Sequence, residues 1–132
     1  MKVARVERPE TPVACVRAEG SPEAIRAAWA RLEELVALRG RRFFGTFDEA
    51  AGDYRACVEL REGEPAPPGL EPGAIPGGAY LRTRLRGGPP AVYDRILSVF
   101  DELVRAGEPD PSRPSIVHCR PRDEADLLLP VR

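Results

Sequence analysis

The sequence predicts an α+β domain made of two strand-helix-strand-strand units related by a pseudo-twofold axis, with antiparallel sheets, helices on one face and a ligand cleft on the other. Three observations predict it. The chain repeats itself at a shift of about half its 132 residues, pairing Gly20 with Gly87, Pro22 with Pro89, Ile25 with Val92, Leu32 with Val99, Val36 with Leu103 and Gly40 with Gly107. Each half carries one stretch with apolar residues at helical spacing between a cap and a glycine. The segments flanking those stretches alternate with the period of a strand.

The first half runs from about 11 to 61, opening with a strand at 11–18. A helix at 21–39 follows, because Ser21 can cap it, Pro22 suits its first position, Glu23 complements the dipole and Gly40 offers a left-handed end. Its buried stripe is Ile25, Ala28, Trp29, Leu32, Leu35 and Val36. Strands are expected at 41–47 and 54–61; in the latter Tyr54, Ala56, Val58 and Leu60 oppose Cys57 and Glu59, giving one face toward water or ligand. Residues 62–78, with Pro65, Pro67, Pro68, Pro72 and Pro76 among glycines, read as a linker. The second half, about 79–131, begins with a strand at 79–86 in which Leu81, Thr83 and Leu85 oppose Tyr80, Arg82 and Arg84. Pro89 and Pro90 open a helix at 89–106 with a stripe of Val92, Ile96, Val99, Phe100, Leu103 and Val104, closed by Gly107, and strands at 114–120 and 126–131 complete the unit.

Apolar residues at 42% supply one core, and a net charge of -1 gives no global attraction to nucleic acid or an anionic membrane. No transmembrane run or signal-like segment is present, so a cytoplasmic protein is expected. Cys15, Cys57 and Cys119 are widely spaced and His118 is the single histidine, which leaves no metal-ligand set; neither a metal nor another cofactor is expected. Lys2 is the one lysine among the basic residues, and Asn and Gln are absent, a bias that suits a GC-rich genome and a heat-adapted host alike.

The phrases Glu7-Arg8-Pro9 with Val13-Ala14, Gly20-Ser21-Pro22, Tyr54-Arg55-Ala56-Cys57-Val58 and Ile75-Pro76-Gly77-Gly78-Ala79-Tyr80 leading to Gly87 span nearly the whole chain. In their order and spacing the chain resembles the GyrI-like small-molecule-binding domain, also found as the effector-binding domain of multidrug-sensing transcription regulators. The resemblance implies a hydrophobic cleft that accepts amphiphilic or cationic molecules. It also implies relatives that are fused to DNA-binding helices, modulate gyrase, sequester drugs or hydrolyse reactive toxins. The length leaves no room for a fused helix-turn-helix module, so a stand-alone protein is expected. In the family a buried glutamate and a tyrosine commonly stand on the third strand of the second half. Here those positions read as Val117 and Cys119, which removes the usual residue for cation recognition and for glutamate-dependent hydrolysis.

An apolar cleft needs a few polar groups that fix the ligand's orientation. Val13, Phe44, Glu59, Tyr80, Arg82, Val117 and Cys119 are the candidate ligand-binding residues, with Phe43 and Phe47 as further candidate wall. Each aromatic could equally be ordinary core, and Glu59 could be a solvated residue paired with Arg82 or Arg84. His118 and Cys119 cannot form a catalytic pair, because strand neighbours point to opposite faces. Arg39, Arg41 and Arg42 cluster at a helix end, where positive charge complements the dipole. The main expectation is a non-enzymatic protein that senses or sequesters an apolar or amphiphilic ligand, with a transcription regulator or DNA gyrase as a further partner and no direct nucleic-acid binding. The alternatives are an interaction protein using Asp48, Glu49 and Asp53 against gyrase, and a hydrolase with Glu59 as general base.

Overall fold

The computed structural model describes residues 2–36, 40–87, 91–120 and 123–132, with the backbone alone at 91–94. Eight strands and two helices follow in the order β1 (Ala4–Arg8), β2 (Thr11–Glu19), α1 (Pro22–Leu35), β3 (Phe43–Asp48), β4 (Asp53–Glu59), β5 (Glu71–Ile75), β6 (Gly78–Arg86), α2 (Ala91–Ala106), β7 (Ser115–Arg120) and β8 (Glu124–Pro130). The strands form one curled antiparallel sheet ordered β1-β6-β8-β7-β3-β4-β2-β5. Exchanging β1–β4 with β5–β8 turns this order into its own reverse.

Two strands fall where none was expected. Residues 62–78 are not merely a linker: Glu71–Ile75 pairs with β2, from Thr11 opposite Ile75 to Cys15 opposite Glu71. Ala4–Arg8 pairs with β6, from Ala4 opposite Arg82 to Arg8 opposite Gly78. β1 is thus lent to the strands of 79–131 and β5 to those of 11–61. Both lent strands lie at an edge, where Pro72 can sit without removing a ladder hydrogen bond from a central strand. The rest of the expected linker is also used, since Leu70 is 8% exposed and packs with Leu60 and Ala66 beneath α1.

The helices form for the reasons the sequence offers. Ser21 Oγ accepts from the Ala24 amide at 3.3 Å and Pro22 starts α1. The helix ends at Leu35 with Val36 extended, and Gly40 holds φ at 75°; residues 37–39, including Arg39, lie outside the described residues. Pro89 and Pro90 also lie outside them, and nothing is described of the Val92 side chain.

Both helices cover one face of the sheet. Beneath α1, the alanines Ala14 and Ala56 leave room for Ala28 and Leu32, and Val58 completes the contact. Beneath α2, Leu81, Leu85, Leu127 and Leu129 meet Ile96, Val99, Phe100 and Leu103, whereas Val104, expected in this stripe, is 45% exposed. Glycine is required at Gly45 in central β3, because Tyr54 crosses it so closely that any Cβ would collide with the phenol. That ring is held by α1, where Trp29 Nε1 donates to Tyr54 Oη at 2.8 Å and the Trp29 ring tilts against Phe43 at 6.5 Å. Trp29 and Ile96 thus face the sheet. Trp29→Phe should keep the packing but lose the indole hydrogen bond, lowering stability by about 1 kcal/mol in urea unfolding.

The opposite, helix-free face carries its own core of Val13, Cys15, Phe44, Cys57, Ile75, Tyr80, Ile116 and Leu128, with Val6 beside it. Among the described residues no helix is long and apolar enough to cross a membrane.

Candidate functional site

Sheet register decides which side chains reach the helix-free face. Cys15 opposes Cys57, Cys57 opposes Phe44, Phe44 opposes His118, His118 opposes Asp126, and Asp126 opposes Arg84. Alternation places this whole row on the same face, together with Val13, Glu59, Tyr80 and Arg82. Above part of it lies a cleft of about 790 Å³, within the usual size range for small-molecule sites. Its walls come from β1 and the turn after it, from Arg41 and Arg42 ahead of β3, and from Glu59, Arg82, His118, Asp126 and Leu128 on the sheet.

At the centre, Phe44 is fully buried under two groups. The His118 ring lies 4.7 Å from it, centroid to centroid, and the Arg8 guanidinium stands 5.2 Å over its face. The Arg8 Nε–H is buried and has no hydrogen-bond partner among the described residues. Leaving a buried donor unmatched costs about 1–3 kcal/mol. Burial lowers the Arg8 pKa from its ordinary value, with nearby Arg42 acting in the same sense against Tyr80, Glu59 and Asp126. Burial also pushes His118 down to about 4, assisted by Arg8, Arg120 and Arg42 and opposed by Asp126. The imidazole is therefore neutral at pH 7.

The acidic groups on the floor are largely committed to arginines. Asp126 is 3% exposed and accepts from Arg84 at 2.8 and 3.3 Å and from Arg120 at 3.5 Å. Burial raises its pKa, but the bonds from Arg84 and the charges of Arg84 and Arg120 outweigh this and leave it lowered. Arg41 is taken up by a paired contact to Glu64 at 2.5 and 2.7 Å. Glu59 finds neither Arg82 nor Arg84 but Arg42, at 3.9 Å, an ion-pair distance too long for a hydrogen bond.

The expected ligand residues separate into three groups. Glu59, Arg82 and Cys119 border the cleft, but Cys119 shares the parity of Val117 on β7 and not that of the inward His118. Val13, Phe44 and Tyr80 lie on the correct face but are buried in its core. Tyr80 donates from Oη to the Pro76 carbonyl at 2.6 Å and lies under the Arg113 guanidinium at 4.8 Å, while Val13 borders a second cavity of about 200 Å³ beside Cys15 and Cys57. Val117 is the correction: it faces the helices and packs with the α2 core, because the inward positions of β7 are Ile116 and His118. Phe43 likewise packs under α1 and Phe47 touches the Gly20 backbone side. Arg8, Arg42, His118, Arg120, Asp126 and Leu128 were not among the expected site residues. An aspartate next to Leu127-Leu128-Leu129 was the available signal for one of them.

Among the described residues no group of three or more His, Cys, Asp or Glu side chains gathers as a metal site. Asp53, one of the acidic residues considered for protein contact, is engaged by Arg17 at 3.4 Å and Arg55 at 3.0 Å.

The same fold recurs in solved structures of low sequence identity. An integron cassette protein from the mobile metagenome of Vibrio cholerae superposes with a TM-score of 0.77 at 15% identity, over 98% of this chain and 95% of that one. The C-terminal domain of EcmrR gives a TM-score of 0.71 at 12% identity, over 99% and 97%. SAV2435 bound to tetraphenylphosphonium gives 0.69 at 10% identity, over 100% and 94%. Among curated protein sequences none matches. At the level of sequence, the family described as the GyrI-like small molecule binding domain matches residues 1–132, from the lent edge strand β1 through the last residue after β8. The chain belongs to the family of GyrI-like small-molecule-binding domains.

Proposed function

We propose that this protein senses or sequesters an apolar or amphiphilic small molecule in the cleft on the helix-free face. The observation that carries the reading is the cleft itself, about 790 Å³ with Leu128 and His118 on its floor and arginines and carboxylates around it. A ligand there would bury apolar surface against Leu128 and Val6 while its polar end met charged side chains. The likeness to SAV2435, whose structure holds tetraphenylphosphonium, and to the EcmrR C-terminal domain supports ligand binding as the role. We read the chain as one domain of two copies of a single unit related by a pseudo-twofold axis, supported by the strand order that reverses onto itself. On this reading the lent strands β1 and β5 are equivalent, and the cleft uses one of two related positions.

The neutral fluorescent probe N-phenyl-1-naphthylamine tests the reading. One-to-one binding is expected, weakened at least tenfold by Arg82→Trp, whose ring would occupy the cleft from a half-buried position on β6. Absence of binding, or unchanged affinity in a folded Arg82→Trp protein, would place the function elsewhere.

A further inference from the structure

Resting on the reading of the cleft as a ligand site, we propose that one end of it is an oxyanion subsite formed by Arg8 and Arg42 beside His118, so that the preferred ligand is a small apolar or aromatic molecule bearing a carboxylate. The charges around that point decide the sign. Arg8 reaches in from β1, Arg42 from the segment before β3 and Arg120 from β7, while the acids whose charges act on Arg8 or His118 are Asp126 on β8 and Glu59 on β4; Glu7, Glu10 and Glu62 also border the cleft. Asp126 already accepts from Arg84 and Arg120. Glu59 is a third exposed and stands 3.9 Å from Arg42 without a hydrogen bond. The Arg8 Nε–H is buried without a hydrogen-bond partner, and no side-chain hydrogen bond or ion pair engages the remainder of the guanidinium among the described residues.

A planar carboxylate matches what such a site lacks. It accepts from a guanidinium through two oxygens, and the contact strengthens where water is displaced. With Arg120 and Asp126 offsetting each other, a cation in the same place would meet Arg8 and Arg42 against one partly exposed carboxylate, and would lose its hydration against them. The neutral His118 ring offers the ligand's apolar body a flat surface next to Leu128, and the imidazole can take up a proton once a negative charge arrives beside it.

The test uses naphthalene-2-carboxylate and naphthalene-2-carboxamide, equal in size and differing in charge, titrated at pH 7 against the full chain. The carboxylate should bind at least tenfold more tightly, with a preference that shrinks as salt is raised. In Arg8→Met, whose side chain can still cover Phe44, the preference for the carboxylate over the carboxamide should vanish. Should Arg8→Met fail to fold, Arg42→Met, at an exposed position, should reduce the same preference. Saturation with the carboxylate should also raise the titration midpoint of His118 from about 4 by a unit or more, read by NMR on the chain's single histidine. Equal affinity for the two probes, a preference unchanged in the arginine variants, or an unmoved His118 midpoint would overturn the subsite and leave the cleft reading standing through N-phenyl-1-naphthylamine. If none of the three probes binds, both fall together.

Discussion

Replacing Tyr80 with alanine is expected to destabilise the protein by about 3 to 5 kcal/mol, the range for emptying a large aromatic site. Tyr80 is fully buried and belongs to the core of the helix-free face with Val13, Phe44, Ile75, Ile116 and Leu128. Its ring lies under Arg113, whose guanidinium also donates to the carbonyls of Ala79 at 3.1 Å and Val131 at 2.7 Å. Removing the ring therefore leaves a cavity and loosens the arginine that ties the start of β6 to the carboxyl end of the chain. Tyr80→Phe isolates a smaller part, the 2.6 Å bond to the Pro76 carbonyl, and should cost about 1 kcal/mol. Urea unfolding measures both. A loss below 1 kcal/mol for the alanine variant, together with weakened probe binding, would return Tyr80 to the cleft wall.

The same residue shows how far the sequence could be read. Alternation along Ala79 to Arg86 placed Tyr80, Arg82 and Arg84 on the helix-free side, and pairing with β8 puts them there. Alternation gives the side, however, and not the depth. Tyr80 is closed over by β1 and by Arg113, which arrive from distant parts of the chain, while Arg82 on the same face stays accessible. The helices were legible because their signals are local: the Ser21 cap, the proline after it and stripes at helical spacing. The lent strands were not. Glu71-Pro72-Gly73-Ala74-Ile75 has the composition of a turn, and its extended form comes from pairing with β2 rather than from its own propensities.

The cleft was legible only in part for a related reason. Glu59 and Arg82 follow from strand parity and border it. On β7 the resemblance set Val117 and Cys119 inward, but a step of one residue exchanges the faces of a strand, and the pairings of Phe44 with His118 and of His118 with Asp126 fix the other choice. Arg8 and Arg42 escape any reading of single elements, since one comes from a lent edge strand and the other from the approach to β3. Only the curl of the sheet and the exchange of β1 bring them to one place.

Acid should destabilise the fold through His118 before most carboxylates titrate. The unfolded chain takes up a proton at this residue as the pH falls through its ordinary value of 6.5, whereas burial and the neighbouring arginines keep the folded imidazole neutral down to about 4. Between these values the unfolded state binds one more proton than the folded state, so the stability present above pH 6.5 is lost progressively as the pH falls. The full shift would amount to roughly 3 kcal/mol at 1.36 kcal/mol per pH unit, and the ring's partial exposure reduces the expected loss to about 2 kcal/mol. Asp126, Asp110 and Glu64 are all held below their ordinary values, so their contributions are lost only at lower pH and leave the window from 6.5 to 5 to the histidine. Urea midpoints measured across that window should decline in the wild type and remain nearly level in His118→Gln. Equal slopes in the two proteins, or an NMR midpoint near 6.5 for the folded wild type, would show that His118 is solvated and that the arginine-rich end of the cleft does not press upon it.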